Sequence, residues 1–337
     1  MTTYGYRLFG FQVFRGSRRT PLNLQDCGGE TYAEISERLL KALSVGTAIG
    51  DPTDQGQARL EESGSTGLPA LRVDEVHVVD NTVRATVWAG KFGSHEKAIG
   101  DDADSDSDIS DKAASNLHRV VLAFPDDGTT GILAIETIGR SCPIGPLAGW
   151  LKKKSREEAT QGSTEGTWWR ITVDPLADED RLAEMIKEGQ AQKLVLVKHS
   201  VTAGRTREIK DVEITASLAV SGRMEETVKV VKGWYRRRNS EELGNPDTAV
   251  STAQGVRQLA AIVGPQVENM DLDDGWVEIQ DPDGQVKRVK PNQMTEVFTY
   301  RLSEDQPVVT PDFYAAVRET ALGLQPAARV AIEWPVS

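Results

Sequence analysis

Cysteine, histidine and long apolar runs are scarce in this 337-residue chain, and each scarcity excludes something. Its two cysteines, Cys27 and Cys142, lie far apart and form no CxxC, so neither a zinc ribbon nor a thioredoxin-type motif is present. The histidines His77, His95, His118 and His199 share no HxH or HxxxH spacing, so no helix or strand offers a ready metal pair. No apolar stretch approaches the ~18 residues of a membrane span, and Met1–Phe14 does not read as a signal peptide. A cytoplasmic setting without membrane insertion, with reduced, structural thiols, is the expectation. GxxxxGK[ST], a GxGxxG after a strand, GxSxG and HExxH are all missing. That removes the common nucleotide-binding and hydrolase motifs, and no cofactor, metal ion or catalytic residue is expected.

Positive charge is in deficit as well. Lys and Arg number 39 against 51 Asp and Glu, a formal charge of −12. The deficit is uneven. Residues 51–111 and 241–337 each carry −9, whereas residues 201–240 carry +4. Net acidity therefore does not exclude an anionic partner.

With 39% apolar and 27% charged residues, the chain has the composition of a folded protein, and its length suggests about two domains. Tyr4–Phe14 has the aromatic and β-branched content of a strand. Thr31 three residues before Glu34 is a capping box, and Ile35, Leu39, Leu40 and Leu43 follow at helical spacing. Gly46–Leu68 and the acidic run after Gly100 read as loops. Val73–Val87 reads as a hairpin about Asp80-Asn81, and 118–124 with 132–138 as another. Pro143–Lys154 is a short helix ending in Lys152-Lys153-Lys154, where cations suit the helix dipole. Polar residues 155–166 suggest a domain boundary.

After it come strands at 168–173, 193–198, 212–220 and 227–235, and helices at 178–188 and 248–263. A hairpin follows about Asp281-Pro-Asp-Gly284, then a last helix from Thr310-Pro311 to Leu322 with Thr310 as N-cap. The expected fold is α+β in two domains, each a mainly antiparallel sheet with helices packed on one face. The first spans 1–156 with two acidic surface loops. The second spans 167–337 with a basic strand at 227–238.

The candidate binding residues are cationic and aromatic. Lys232, Trp234, Tyr235, Arg236, Arg237 and Arg238 fall within seven positions. Guanidinium groups pair bidentately with phosphate, and aromatic faces stack on bases. Strand alternation would put Trp234 with Arg236 and Tyr235 with Arg237. Lys152, Lys153 and Lys154 form a second cluster, and Arg15 with Arg18 and Arg19 a third. Convergence of the three would make a patch.

Two weaker patterns need weighing. Asp102–Asp108 resembles a calcium loop but lacks Gly and Glu at the sixth and twelfth positions, as does Asp271–Gly275. Glu208 and Lys210 have the acid-x-Lys spacing that, with Asp178 or Asp180, would serve a metal-dependent nuclease.

One stretch has a familiar layout. His118–Phe124, then Gly131–Arg140, then the helix Pro146-Leu-Ala-Gly-Trp-Leu151 and a basic end is similar to the arrangement in prophage- and defence-encoded proteins of the RexA and KwaB type. The resemblance covers about residues 115–200 and the order of elements. It implies a two-part α+β, non-enzymatic DNA-binding protein acting in phage exclusion or anti-phage defence. A homodimer, or a partner from a defence system, is the matching expectation. Two other functions stay open: a protein–protein interaction module without nucleic acid, and the nuclease.

Overall fold

Thr3–Arg15 (β1) alternates large side chains to both sides, and that alternation organises the larger sheet. The computed structural model describes residues 2–50, 67–93, 95, 97–98, 107–110, 112–161, 168–176, 178, 190–200, 209–218, 222–238, 252–280, 286–291 and 299–335. Further strands are Ala48–Ile49 (β2), Pro69–Val79 (β3), Thr82–Phe92 (β4), Lys97–Ala98 (β5), Ser107–Asp108 (β6), Ala113–Ala123 (β7) and Thr130–Ile138 (β8). Then come Trp169–Pro175 (β9), Gln190–Ser200 (β10), Ile209–Ser217 (β11), Asp274–Gln280 (β12), Val286–Val289 (β13) and Tyr300–Glu304 (β14). Helices are Tyr32–Ala42 (α1), Ile144–Gln161 (α2), Arg223–Arg238 (α3), Thr252–Val263 (α4), Pro265–Glu268 (α5) and Thr310–Ala328 (α6).

The fold is α+β. Contacts divide the chain into one unit of Met1–Asp174 with Thr299–Ser337, and a second of Pro175–Phe298. This division differs from the expected 1–156 and 167–337. The stretch expected to be a linker is helical through Gln161, β9 pairs with β1, and β14 returns to β1 from the far end of the sequence. The second unit is thus an insertion between strands of the first.

In the first unit the strand order is β14-β1-β8-β7-β4-β3-β2, with β9 also on β1. The Asp80-Asn81 hairpin is present, with Asp80 at φ +48 as its turn requires. Phe9, Phe11, Val13, Val83, Val87, Leu122 and Leu133 share one face of the sheet. Against it pack Ile35, Leu39 and Leu40 of α1 and Leu147 and Leu151 of α2. The capping box forms in full: Glu34 N–H donates to Thr31 Oγ1 at 3.2 Å, and Thr31 N–H to Glu34 Oε2 at 2.8 Å.

Helices were expected on one face, but α6 lies on the other. Tyr6 Oη donates to the Ala316 carbonyl (2.9 Å), and the Arg119 guanidinium lies 4.4 Å from the Phe313 ring centroid. Arg119 forks onto buried Glu136 and also reaches the Val308 carbonyl at 2.8 Å. The N-cap of α6 is Val309 and makes no side-chain bond, so Thr310 does not cap; Pro at the start suits the fixed φ of that position.

In the second unit the order is β11-β10-β12-β13, all antiparallel. Residues 227–235, expected as a strand, lie in α3. Their β-branched content suggests a strand, but Thr227, Val228, Val231 and Trp234 are the buried positions and follow helical spacing. The expected helix at 178–188 and the turn at 281–284 lie outside the described residues, apart from Asp178.

Candidate nucleic-acid interface

Where β1 ends, Gly16 adopts φ +59 and donates its N–H to the Trp168 carbonyl at 2.7 Å. A residue with a Cβ is strained at that angle, so glycine is what docks the turn on the start of β9. Arg18 N–H closes the turn on the Arg15 carbonyl (3.0 Å), leaving Arg18 and Arg19 exposed.

Helix α2 approaches the same tryptophan. Lys152 and Arg156, four apart, lie on one side of the helix. The Arg156 guanidinium sits 4.2 Å from the Trp168 ring centroid and the Lys152 ammonium 6.0 Å from it. Lys153 sits 4.6 Å from the Trp150 centroid. Each such contact contributes about 0.5–1 kcal/mol at an exposed site. Ser155, fully buried between them, accepts the Trp169 N–H at 2.7 Å and ties α2 to β9. Arg170 donates to the Arg18 carbonyl (3.3 Å) and lies 4.9 Å from the Phe14 ring.

Two basic runs remote in sequence, Arg15-Gly-Ser-Arg-Arg19 and Lys152-Lys-Lys-Ser-Arg156, therefore meet around Trp168, with Arg170 joining them. Glu157 takes Lys154 at 2.8 Å, and Glu158 takes Arg38, which also holds Glu30. The lysines are not at a helix end, because α2 continues to Gln161; the dipole argument made for them does not hold.

The other predicted cluster lies in the second unit. Trp234 is 2% exposed, and its indole N–H donates to Gln258 Oε1 at 2.6 Å. It is a core residue, and its ring offers no face to a base. Lys232 lies on α3, as does the backbone of Tyr235, Arg236, Arg237 and Arg238, whose side chains lie outside the described residues. The strand alternation that grouped Trp234 with Arg236 does not apply on a helix.

A second cationic group surrounds Trp276. Arg288 and Lys290 lie 4.8 and 5.1 Å from its ring centroid. Glu278, 9% exposed in its side chain, accepts the Trp276 indole N–H (3.0 Å), Lys193 (3.1 Å) and Arg288 (3.3 Å). Asp274 takes Lys290 at 2.7 Å. Burial pushes the Glu278 carboxyl up, but the bonds from Trp276 and Lys193 outweigh it and hold the group below its ordinary value.

The remaining candidates are spoken for or outside view. Glu208 and Asp180 lie outside the described residues, as does the Lys210 side chain. No group of three His, Cys, Asp or Glu is placed to hold a metal among the described residues. In the Asp271–Gly275 run, Asp271 pairs with Lys198 and Asp273 with His199. His118 is buried, with Nδ1 3.0 Å from the Glu136 carbonyl and Nε2 3.3 Å from Ser141 Oγ; burial lowers its pKa. Both cysteines are free thiols, and burial pushes Cys27 up to about 12. No helix among the described residues is long and apolar enough to cross a membrane.

Arg156, Trp168 and Arg170 were not singled out from sequence. Arg156, one helical turn beyond Lys152, carried a signal, but the meeting of the two runs depends on β9 joining β1. No protein-family model matches the chain, and no curated protein matches it.

Proposed function

We propose that this protein binds nucleic acid, with DNA as its ligand, through the basic face around Trp168. The observation that carries the reading is the meeting of two acid-free basic runs about one indole. Trp168 holds cations on its ring, so its part is to fix Arg156 and Lys152 rather than to stack on a base. The face contacts phosphates, giving sequence-tolerant and salt-sensitive affinity. Both runs carry no acid of their own, while the acid excess lies in other stretches of the sequence. Lys232 and Arg236–Arg238 add a separate contribution from the second unit. Two copies in a homodimer would join weak faces and raise avidity. A role against infecting phage follows from the layout resemblance.

The test is fluorescence anisotropy with labelled single- and double-stranded DNA across a salt series. Wild type binds at low salt and weakens steeply as salt rises. Lys152→Ala/Lys153→Ala/Arg156→Ala, checked for fold by circular dichroism, loses at least tenfold. Arg236→Ala/Arg237→Ala/Arg238→Ala measures the second contribution. Absence of binding to either form at low salt overturns the proposal and favours a protein-interaction module. Mg²⁺-dependent cleavage would favour the nuclease.

A further inference from the structure

Among the described residues no helix covers the far half of the large sheet's second face, and a cleft lies there. Helix α6 covers the end near Arg84 and Arg119, where the Arg84 guanidinium lies 4.4 Å from the Tyr314 centroid. Toward the other end, Arg72, Trp88 and Leu117 stand side by side across β3, β4 and β7. Phe92 is four residues beyond Trp88 on β4, hence on the same face. Ala70, Gly90 and Ser115 form a row of small residues between the two aromatics. The cavity they leave is about 320 Å³, lined also by Thr47 and Lys112. That volume is at the lower end of small-molecule sites.

Of its polar groups, Lys112 lies near the Asp108 carboxylate, and the others are uncommitted among the described residues. Arg72 is exposed and has no carboxylate partner among the described residues, in a chain with twelve excess acids. The Trp88 indole N–H and the Ser115 hydroxyl also lack partners among the described residues. Two aromatic rings, two cations and two hydroxyls around one cavity match a ligand with a flat π-surface, a polar linker and a dianionic end.

We infer that this cleft binds a nucleoside phosphate, with the base against Trp88 and Phe92 and the phosphate on Arg72 and Lys112. The inference does not rest on the Trp168 face. Free mononucleotides and the 5′-terminal nucleotide of a strand share this chemistry, and the test separates them.

Isothermal titration of the full chain with adenosine and guanosine 5′-monophosphate tests it, with ribose 5-phosphate as the base-free control. Wild type binds both nucleotides, and ribose 5-phosphate binds at least about tenfold more weakly, since base–aromatic stacking is lost. Arg72→Ala and Trp88→Leu each weaken nucleotide binding about tenfold or more. Lys152→Ala/Lys153→Ala/Arg156→Ala leaves it unchanged. Arg72 is exposed, so its variant keeps the fold even if the Trp88 variant does not. Displacement of the nucleotide by a 5′-phosphorylated tetranucleotide in that triple variant identifies a strand end as ligand; failure to displace identifies the free nucleotide. No binding of either nucleotide at millimolar concentration overturns the inference. So does wild-type affinity in Arg72→Ala, or equal binding of ribose 5-phosphate.

Discussion

Two tryptophans gather cations in this molecule, and their surroundings differ in one respect. Around Trp276, Lys193, Arg288 and Lys290 are held by Glu278 and Asp274, so that cluster stabilises its own sheet. Around Trp168, the cations come from two runs that contain no acidic residue, and among the described residues Glu157 takes Lys154 and Glu158 takes Arg38. Composition and stacking geometry are alike. What separates them is that the Trp276 cations are paired with carboxylates of their own sheet, whereas the Trp168 cations are drawn from two basic runs remote in sequence. Arginine and lysine counts alone would not distinguish the two.

The largest effect expected is on the Trp168 side. Replacing Arg18, Arg19, Lys152, Lys153 and Arg156 together by Ala lowers DNA affinity on the order of 10²-fold or more at 50 mM salt, because phosphate contacts add in log K. The matching change at Trp276, Lys193→Ala/Arg288→Ala/Lys290→Ala, leaves DNA affinity within about twofold and lowers the unfolding midpoint. Anisotropy and denaturant titration read the two effects separately. A loss of DNA binding in the second variant would erase the distinction.

Next is Glu278→Ala. It removes the acceptor of the Trp276 N–H and of two cations, at a cost of about 2 kcal/mol given that Lys193 and Arg288 are half exposed. Glu278→Gln keeps an acceptor for the indole and costs less. Combined with Asp274→Asn it converts this cluster into an uncompensated one, and DNA affinity is expected to rise.

Acid sharpens the comparison further, because the two units respond at different pH. His118, in the first unit, has a lowered folded pKa, so the unfolded chain binds the proton more readily. Its contribution to stability is complete above about pH 6.5 and declines as pH falls below it. Glu278, in the second unit, also has a lowered folded pKa, so its contribution is complete above about pH 4.3 and is lost as pH falls through the folded value. Thermal melts from pH 8 to 2 should show decline beginning near pH 6.5, absent in His118→Gln, and a further decline beginning below about pH 4.3, smaller in Glu278→Gln.

The smallest effect separates the indoles themselves. Trp276→Phe loses the N–H bond to Glu278, about 1 kcal/mol, read by urea titration. Trp168→Phe keeps a ring for Arg156 and Lys152 and changes DNA affinity by less than about threefold.

The local elements were largely legible in the sequence. The capping box of α1, the Asp80-Asn81 hairpin and β7–β8 each carry their own short-range signals, and all are present. Residues 227–235 misled because Val228, Val230 and Val231 suit a strand, while burial of Val231 and Trp234 follows the helical period. The division into units was not legible, because it depends on β14 pairing with β1 across nearly the whole chain. The candidate face was half legible. Both basic runs stood out, but what joins them is a backbone bond from Gly16 to Trp168, and pairings of that range leave no local trace.

The most direct test of the account is the salt dependence of duplex DNA binding, measured for wild type and for the variant lacking Arg18, Arg19, Lys152, Lys153 and Arg156. Each phosphate-contacting cation removed should lower the slope of log K against log salt by about one. The account predicts a steep wild-type slope that falls by about three to five in the variant. A variant with the wild-type slope and affinity would contradict it.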